Sequence, residues 1–186
     1  MKSAFLCAAT SALLLTTAAF GQRETFVPAN DVSFTVATER STYRAGEQIL
    51  LKYEIVNISN AAVYVPREWD AQCPATPHIW AWFESSSGKH FIPGYAGSCS
   101  TSPKTLTARM QKEAVLLKPG QRLEGTVRMD TTLFGALKPG AYRLEASVSG
   151  WRESDFTPAQ QSELAEMGTA FIRGEVPAST RITLTP

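Results

Sequence analysis

One stretch near the start of the chain constrains the fold more than any other: residues 39–66 read ERSTYRAGEQILLKYEIVNISNAAVYVP. Apolar side chains recur at every second position, at Ile49, Leu51, Tyr53 and Ile55. A period of two indicates a β-strand with one buried face. Gly46 supplies the turn before this strand, because glycine takes a positive φ at little steric cost. Residues 57–60 have the composition of a turn after it.

The first residues of the chain resemble a secretory signal peptide. Lys2 precedes an apolar run that extends to Phe20, and Ala19-Phe20-Gly21 resembles a cleavage site between small residues. We therefore predict a signal peptide over residues 1–21 and a mature chain, residues 22–186, that is periplasmic or secreted. An uncleaved anchor is the alternative, but the apolar run is shorter than the roughly 20 residues that a span needs. No later stretch is apolar enough, so we predict no membrane span after cleavage.

Opposite charges are almost balanced, with 18 basic and 17 acidic residues in the whole chain. Removal of the leader takes one lysine and no acid, which makes the balance even. A neutral chain with interspersed signs lacks the basic surface of a nucleic-acid-binding protein or of one that binds anionic membranes. Residues 22–186 contain no repeat array and fit a single domain that is large enough to bury a core.

Two cysteines, Cys73 and Cys99, remain after the predicted cleavage. An even number in an oxidising compartment predicts a disulfide. In the chain-entropy picture it would contribute about 3 kcal/mol. A zinc site that adds His78 and His90 is one alternative, and free thiols are another. Because no two of these residues have the close spacing of a structural zinc site, we predict no metal.

The strand predicted at residues 78–84 is apolar on both faces. Ile79, Ala81 and Phe83 share one face, and Trp80 and Trp82 share the other. Aromatic residues beside a disulfide fill the core of immunoglobulin-like sandwiches, so we favour core packing for both tryptophans. The alternative is an exposed aromatic platform for a ligand or a partner.

Two copies of Leu-Lys-Pro-Gly, at residues 117–120 and 137–140, each introduce an alternating strand. The second copy leads into Tyr142 and resembles the tyrosine corner of Greek-key sandwiches, in which the phenol hydrogen-bonds to the backbone a few residues upstream. We therefore predict that Gly140 and Tyr142, like Gly46, are structural residues. Weak alternation over residues 106–117 predicts one or two further strands.

One short helix is predicted near the end of the chain. Its signals are Thr157 as N-cap, Pro158 at the first helical position, Gln160 as the capping-box partner and Gly168 as C-cap. With the loop to residue 177 it forms an insertion, residues 151–177, before a closing strand at residues 180–185. Such insertions often carry function, which makes Trp151 a binding candidate.

Two patches resemble a known family. Tyr43-Arg44-Ala45-Gly46-Glu47, and Asn57-Ile58-Ser59 followed by Val63-Tyr64-Val65, are similar to the Tyr-x-x-Gly-Glu…Asn-x-Ser pattern of bacterial Ig-like domains. These include the Bacillus-type intracellular proteinase inhibitor (BsuPI) domain, and macroglobulin-like domains are similar. The resemblance implies an all-β, Ig-like or fibronectin-III-like Greek-key β-sandwich. Asn57-Ile58-Ser59 also matches a glycosylation acceptor, which we interpret as a turn.

The sequence contains no nucleophile elbow, no glycine-rich phosphate loop and no His-Glu-x-x-His motif. An enzyme is therefore not predicted, although His78 or His90 with a loop serine and an acid could form a triad in space. We predict a non-catalytic interaction module, without a cofactor, that binds a protein or a cell-envelope component. The candidate binding residues are Trp69, Asp70, Trp80, Trp82 and Trp151. A secreted proteinase inhibitor is the rival prediction, with residues 94–103 as its binding loop.

Overall fold

The computed structural model of the protein describes residues 26–67, 78–94, 105–135, 137–167 and 170–186. The strands in these ranges are β1 Phe26–Pro28, β2 Val32–Thr38, β3 Thr42–Arg44, β4 Gln48–Asn57, β5 Val63–Pro66, β6 His78–Ser85, β7 His90–Phe91, β8 Ala114–Leu117, β9 Arg122–Asp130, β10 Gly140–Ser149, β11 Ala170–Arg173 and β12 Glu175–Thr185. The α-helices are α1 Leu106–Glu113 and α2 Pro158–Glu166, and short 3-10 turns occur at Ala29–Asp31, Thr131–Phe134 and Glu153–Asp155.

The strands form three sheets. The largest has the order β3-β12-β10-β6-β7, the second β1-β11-β5-β8 and the third β2-β4-β9. Neighbouring strands are antiparallel except that β3 lies parallel to β12, and β11 lies parallel to β1 and to β5. The chain is therefore an all-β sandwich with a short helix before its last strands, and this part of the sequence prediction is confirmed.

Inward-facing side chains of all three sheets meet in one apolar core. The residues that β4, β6 and β10 contribute are almost fully buried: Ile49, Leu51, Ile55, Ile79, Ala81, Phe83, Leu144, Ala146 and Val148. Burying one large apolar side chain stabilises a fold by about 1.5–3 kcal/mol, so this cluster supplies much of the driving force for folding. The alternation in β4 identifies its buried face correctly.

The prediction of strands throughout residues 106–117 is wrong for the first two thirds of that segment. Leu106–Glu113 forms α1, and only Ala114–Leu117 forms a strand. Thr105 begins the helix by accepting a hydrogen bond from the N–H of Ala108 at 3.3 Å. Leu106 and Met110 are both buried, one helical turn apart. This i, i+4 spacing, and not alternation, is the sequence signal for α1.

Helix α2 begins as predicted. The Thr157 hydroxyl accepts from the N–H of Gln160 at 3.3 Å, and the Gln160 side chain accepts from the N–H of Thr157 at 2.9 Å. The prediction of a loop from the helix to residue 177 is wrong, because β11 and the first residues of β12 occupy most of that segment. Since β12 pairs with β10 as far as Glu175 opposite Ser149, this segment belongs to the sandwich.

Two motifs predicted to be structural make specific contacts. Gly46 has φ of 84°, in the region that favours glycine, and the turn it makes brings the Glu47 carboxylate to the N–H of Arg44 at 2.9 Å. Gly140 begins β10. The Tyr142 hydroxyl donates to the carbonyl of Lys138 at 2.8 Å and accepts from its N–H at 3.1 Å, which is the geometry of a tyrosine corner.

The predicted signal peptide, residues 1–21, and the predicted C-cap Gly168 lie outside the described residues. Among the helices that the structure describes, none is long and apolar enough to cross a membrane.

Candidate functional site

Strand β6 presents different chemistry on its two faces. Ile79, Ala81 and Phe83 point into the core, whereas Trp80 and Trp82 point to the opposite face, are half-buried and do not belong to the core cluster. The preference for core packing of the two tryptophans is therefore wrong. The physical reason is that the other sheets pack their apolar side chains against the first face of this strand, and alternation places both tryptophans on the second.

The two indole rings lie against each other with their centroids 4.4 Å apart and their planes inclined by 32°. Trp82 is opposite Glu145 of the neighbouring strand β10, and Trp80 is opposite Ser147. Aromatic pairs in this arrangement hold each other in place and present a large apolar surface at low entropy cost. The outer face of the five-stranded sheet thus carries an aromatic pair directly beside polar groups.

A row of charged side chains follows the aromatic pair across three strands. Arg181 of β12 is opposite Arg143 of β10, which is opposite Glu84 of β6. Arg143 donates to the Glu84 carboxylate at 2.7 Å and also pairs with Glu145. The hydrogen bond to Glu84, and then the nearby Glu145 carboxylate, raise the pKa of the Arg143 guanidinium. The charge of Arg143 is therefore already matched by its neighbours.

Arg181 differs from Arg143 in having no such neighbours. Its side chain is exposed and makes no hydrogen bond or ion pair within the described part of the chain. It lines a shallow groove of about 480 Å³ together with Ser41, Glu84, Tyr142 and Arg143. The guanidinium is thus available to an anionic group that enters this groove, where charge-assisted hydrogen bonds are stronger than neutral ones.

Ser147 adds an unusual polar group to the same face. The residue is 1% exposed, and its hydroxyl has no hydrogen-bond partner among the residues that the structure describes. A buried hydroxyl without a partner typically costs about 1–3 kcal/mol. Because Ser147 is opposite Trp80, this unused hydroxyl lies next to the aromatic pair.

Trp151 cannot contribute to a binding surface, so this candidate is corrected. It is 0% exposed, and its ring packs edge-on against Phe171 with the centroids 5.3 Å apart. Its backbone N–H donates to the carbonyl of Ile172 at 3.0 Å, which ties the segment after β10 to β11. Residues 151–177 were predicted to form an insertion before the closing strand, and the pairing of β11 brings part of this segment into the core.

Several predicted residues lie outside the described part of the chain: Trp69, Asp70, Cys73, Cys99 and, apart from Gly94, the loop 94–103. The structure therefore places neither the predicted disulfide nor the predicted inhibitory loop. His90 is exposed on β7, and its side chain makes no hydrogen bond or ion pair within the described residues. In the same ranges, no three histidine, cysteine or carboxylate side chains come together as metal ligands would.

A second groove, of about 550 Å³, lies on the three-stranded sheet. Two of its lining charges are already paired with neighbours on the same sheet: Lys52 with Glu39 at 3.5 Å, and Glu54 with Arg122 at 2.8 Å. It contains no aromatic pair and no free arginine among its lining residues. The outer face of β6, β10 and β12 is therefore the better candidate for a binding site.

No protein-family model matches the sequence, and no curated protein matches it. Among solved structures, the β-glucosidase EmGH1 from Erythrobacter marinus has 13% identity and a TM-score of 0.42, with 83% of this chain and 15% of that chain covered. The sporulation control protein Spo0M from Bacillus subtilis has 11% identity and a TM-score of 0.42, with 84% of this chain and 50% of that chain covered. The CARDB domain of PF1109 from Pyrococcus furiosus has 10% identity and a TM-score of 0.36, with 83% of this chain and 88% of that chain covered. This chain thus spans only a small part of the glucosidase, and likenesses this distant identify neither a family nor an activity.

Proposed function

We propose that this protein is a non-catalytic β-sandwich module that binds a protein partner outside the cytoplasm, through the outer face of β6, β10 and β12. The observation that carries the proposal is the Trp80–Trp82 ring pair on the same sheet face as Arg181, whose side chain has no partner within the described residues. Tryptophan and arginine are the residue types that most often dominate binding energy at protein interfaces. A half-buried aromatic pair that shares a sheet face with an exposed arginine fits that composition.

The chemistry of this face limits what the partner presents. The indole pair favours an apolar or aromatic side chain, and Arg181 favours a carboxylate two strands away on the same face, roughly 10 Å across the sheet. Arg143 forms ion pairs with Glu84 and Glu145, so its charge is neutralised and its side chain contributes contact surface more than electrostatic attraction. We expect the partner to offer an apolar anchor followed by an acidic residue, with the anchor supplying most of the affinity.

The location and the family assignment rest on the sequence. The predicted signal peptide supports an extracytoplasmic location, and the Tyr-x-x-Gly-Glu and Asn-x-Ser patches support a place among bacterial Ig-like domains of the BsuPI or macroglobulin-like type. The Cys73–Cys99 disulfide belongs to the same proposal. Alkylation of the unfolded, unreduced protein followed by mass spectrometry tests it: two alkylated cysteines in the mature chain would exclude the bond.

The proposed interface can be tested by site-specific photo-crosslinking. A photoreactive phenylalanine analogue replaces Ser179, which is exposed on β12 opposite Glu145, and in a control protein it replaces Thr35 on β2 of another sheet. Each protein is incubated with the envelope fraction of the organism that encodes it. We expect a discrete cross-linked protein from position 179 alone. Equal yields from both positions would contradict the proposed face.

Substitutions then identify the groups that bind. The Trp80→Ala/Trp82→Ala variant should lose the cross-link, and Arg181→Ala should weaken it about tenfold, as expected for one charge-assisted contact. Ile58→Ala, which shortens an exposed apolar side chain elsewhere, serves as the matched control and should bind normally. Circular dichroism of each variant establishes that it folds. If proteases are captured whatever the state of the two tryptophans, the module proposal fails and an inhibitor role replaces it.

A further inference from the structure

The edge of the three-stranded sheet has the features of a self-pairing strand. β9 is nine residues long, and its register against β4 runs without interruption from Asp130 opposite Gln48 to Arg122 opposite Val56. Its only neighbour in the sheet is β4, and within the described chain its other edge makes no backbone hydrogen bond to another strand. β9 has no proline and no bulge, which are devices that commonly block pairing at an exposed edge.

The charges along this edge complement themselves. We propose that two copies of this chain pair through β9 in an antiparallel arrangement centred on Thr126, which joins their three-stranded sheets into one. In this register Glu124 lies opposite Arg128 of the second copy, and Arg122 lies opposite Asp130 of the second copy. Each pair occurs twice because the arrangement is two-fold symmetric. Directly opposite residues in antiparallel strands are close enough for unlike charges to attract.

Neighbouring registers bring like charges together. Sliding one strand by two residues in one direction sets Arg122 opposite Arg128, and sliding it in the other direction sets Glu124 opposite Asp130. Shifts by a single residue would set core-facing side chains of one copy beside solvent-facing side chains of the other. The sequence of β9 therefore favours the Thr126-centred register over its neighbours.

Pairing would also relieve an unfavourable arrangement within each copy. Glu124 is opposite Glu54 of β4, and within the described residues Arg122 is the one cation paired with both carboxylates, 2.8 Å from Glu54 and 3.8 Å from Glu124. The Arg128 side chain is exposed and has no hydrogen bond or ion pair in the described part of the chain. The proposed register brings an unpaired cation to an under-compensated carboxylate on both sides of the two-fold axis.

Pairing of two copies would also add apolar contacts on the core-facing side of β9. Leu123 and Val127 are only half-buried in one copy. In the proposed register Leu123 meets Met129 of the second copy, and Val127 meets Gly125. Covering these side chains removes apolar surface from water, so that the hydrophobic effect and the charge pairs favour the same arrangement.

Sedimentation equilibrium of the purified chain at low ionic strength tests this proposal directly. We expect a dimer whose dissociation constant rises about tenfold or more on Glu124→Arg or on Arg128→Glu, because each change makes two attractive pairs repulsive. The double variant Glu124→Arg/Arg128→Glu should restore dimerisation, since it exchanges the two signs. Arg173→Glu, at an exposed position on β11 of another sheet, is the control and should dimerise normally. Circular dichroism establishes that each variant folds.

The register has its own test. Thr126→Cys should form a disulfide across the two-fold axis on mild oxidation, because cysteines directly opposite each other in a sheet meet the distance a disulfide needs. Thr35→Cys, on β2 at the other edge of the same sheet, should not. A chain that stays monomeric at all concentrations, or a dimer that is insensitive to the charge exchange, would overturn the proposal. So would covalent dimers formed equally from both cysteine variants.

Discussion

Asn57, at the end of β4, is the residue whose chemistry we expect to matter most for stability. It is 0% exposed. Its side-chain nitrogen donates to the carbonyls of Ala61 at 2.7 Å and Leu117 at 2.8 Å, and its oxygen accepts from the N–H of Ser59 at 2.9 Å and from its hydroxyl at 2.8 Å. These bonds hold the turn between β4 and β5 against the end of β8.

Asn57→Asp keeps the shape of this side chain and removes both of its donors. Loss of the bond to the Leu117 carbonyl should cost about 1–3 kcal/mol, and loss of the bond to Ala61, whose carbonyl also lies 2.9 Å from the Ser59 hydroxyl, about 0.5–1.5 kcal/mol. We therefore expect a loss of roughly 2–4 kcal/mol in the free energy of unfolding at pH 7. A small domain is stable by only about 5–15 kcal/mol, which makes this a large fraction.

The loss should depend on pH. Burial beside two carbonyls raises the pKa of the introduced carboxyl above its value of about 3.9 in the unfolded chain. The protonated form is therefore favoured in the folded state. The deficit should be smallest below about pH 4 and should grow as the pH rises through the raised pKa.

Urea unfolding followed by tryptophan fluorescence at pH 4 and pH 7 measures both effects. Ser59→Ala is the control: it removes the hydroxyl that bonds to Asn57 and to the backbone of Ala61, leaves both donors of Asn57 in place, and should cost about 1–2 kcal/mol at either pH. An Asn57→Asp variant within 1 kcal/mol of the parent at pH 7, or one whose deficit does not shrink on acidification, would refute this reasoning.

Three further changes probe the fold. Tyr142→Phe removes two backbone hydrogen bonds and should lower the free energy of unfolding by about 1–3 kcal/mol in urea titrations, whereas no change would argue against a structural tyrosine corner. Gly150→Ala would press a Cβ atom into the Ile172 carbonyl, and we expect a loss of about 2–4 kcal/mol and a lower Tm by calorimetry; an unchanged Tm would contradict that overlap. Glu47 has a pKa lowered first by the hydrogen bond from the Arg44 N–H, so its contribution to stability is present above about pH 4 and is lost as the pH falls through the lowered pKa. Glu47→Gln should accordingly be less stable than the parent at pH 7 and equal to it near pH 2, and a gap independent of pH would show that the carboxylate does not contribute.

Local patterns predicted those elements in which one periodicity dominates. The alternation of β4 identifies its buried face, and the capping residues of α2 locate its first turn. Helix α1 was missed because its segment is short and mostly polar, so that the i, i+4 pair Leu106 and Met110 was hidden by weak alternation. Asn57 was recognised as a turn residue, but its bond to Leu117, sixty positions away in sequence, has no local signal.

In the candidate site, too, some features follow from local sequence patterns and others depend on contacts between distant strands. Sequence places Trp80 and Trp82 on one face of β6, since successive side chains of a strand alternate, but it does not reveal which face the rest of the protein covers. The packing of strands that are distant in sequence determines which face of β6 is covered, and it also buries Trp151 against β11. The row Arg181, Arg143 and Glu84 is likewise a product of strand pairing.

The sequence by itself determined the all-β class, the positions of the main turns and the residues that share a face, because each depends on interactions between near neighbours. Only the tertiary structure decided that the two tryptophans lie off the core and that, among the described residues, Arg181 has no partner and β9 ends a sheet. Those features depend on the order in which distant strands pair, and the free energy that selects this order comes from burying all the inward faces together.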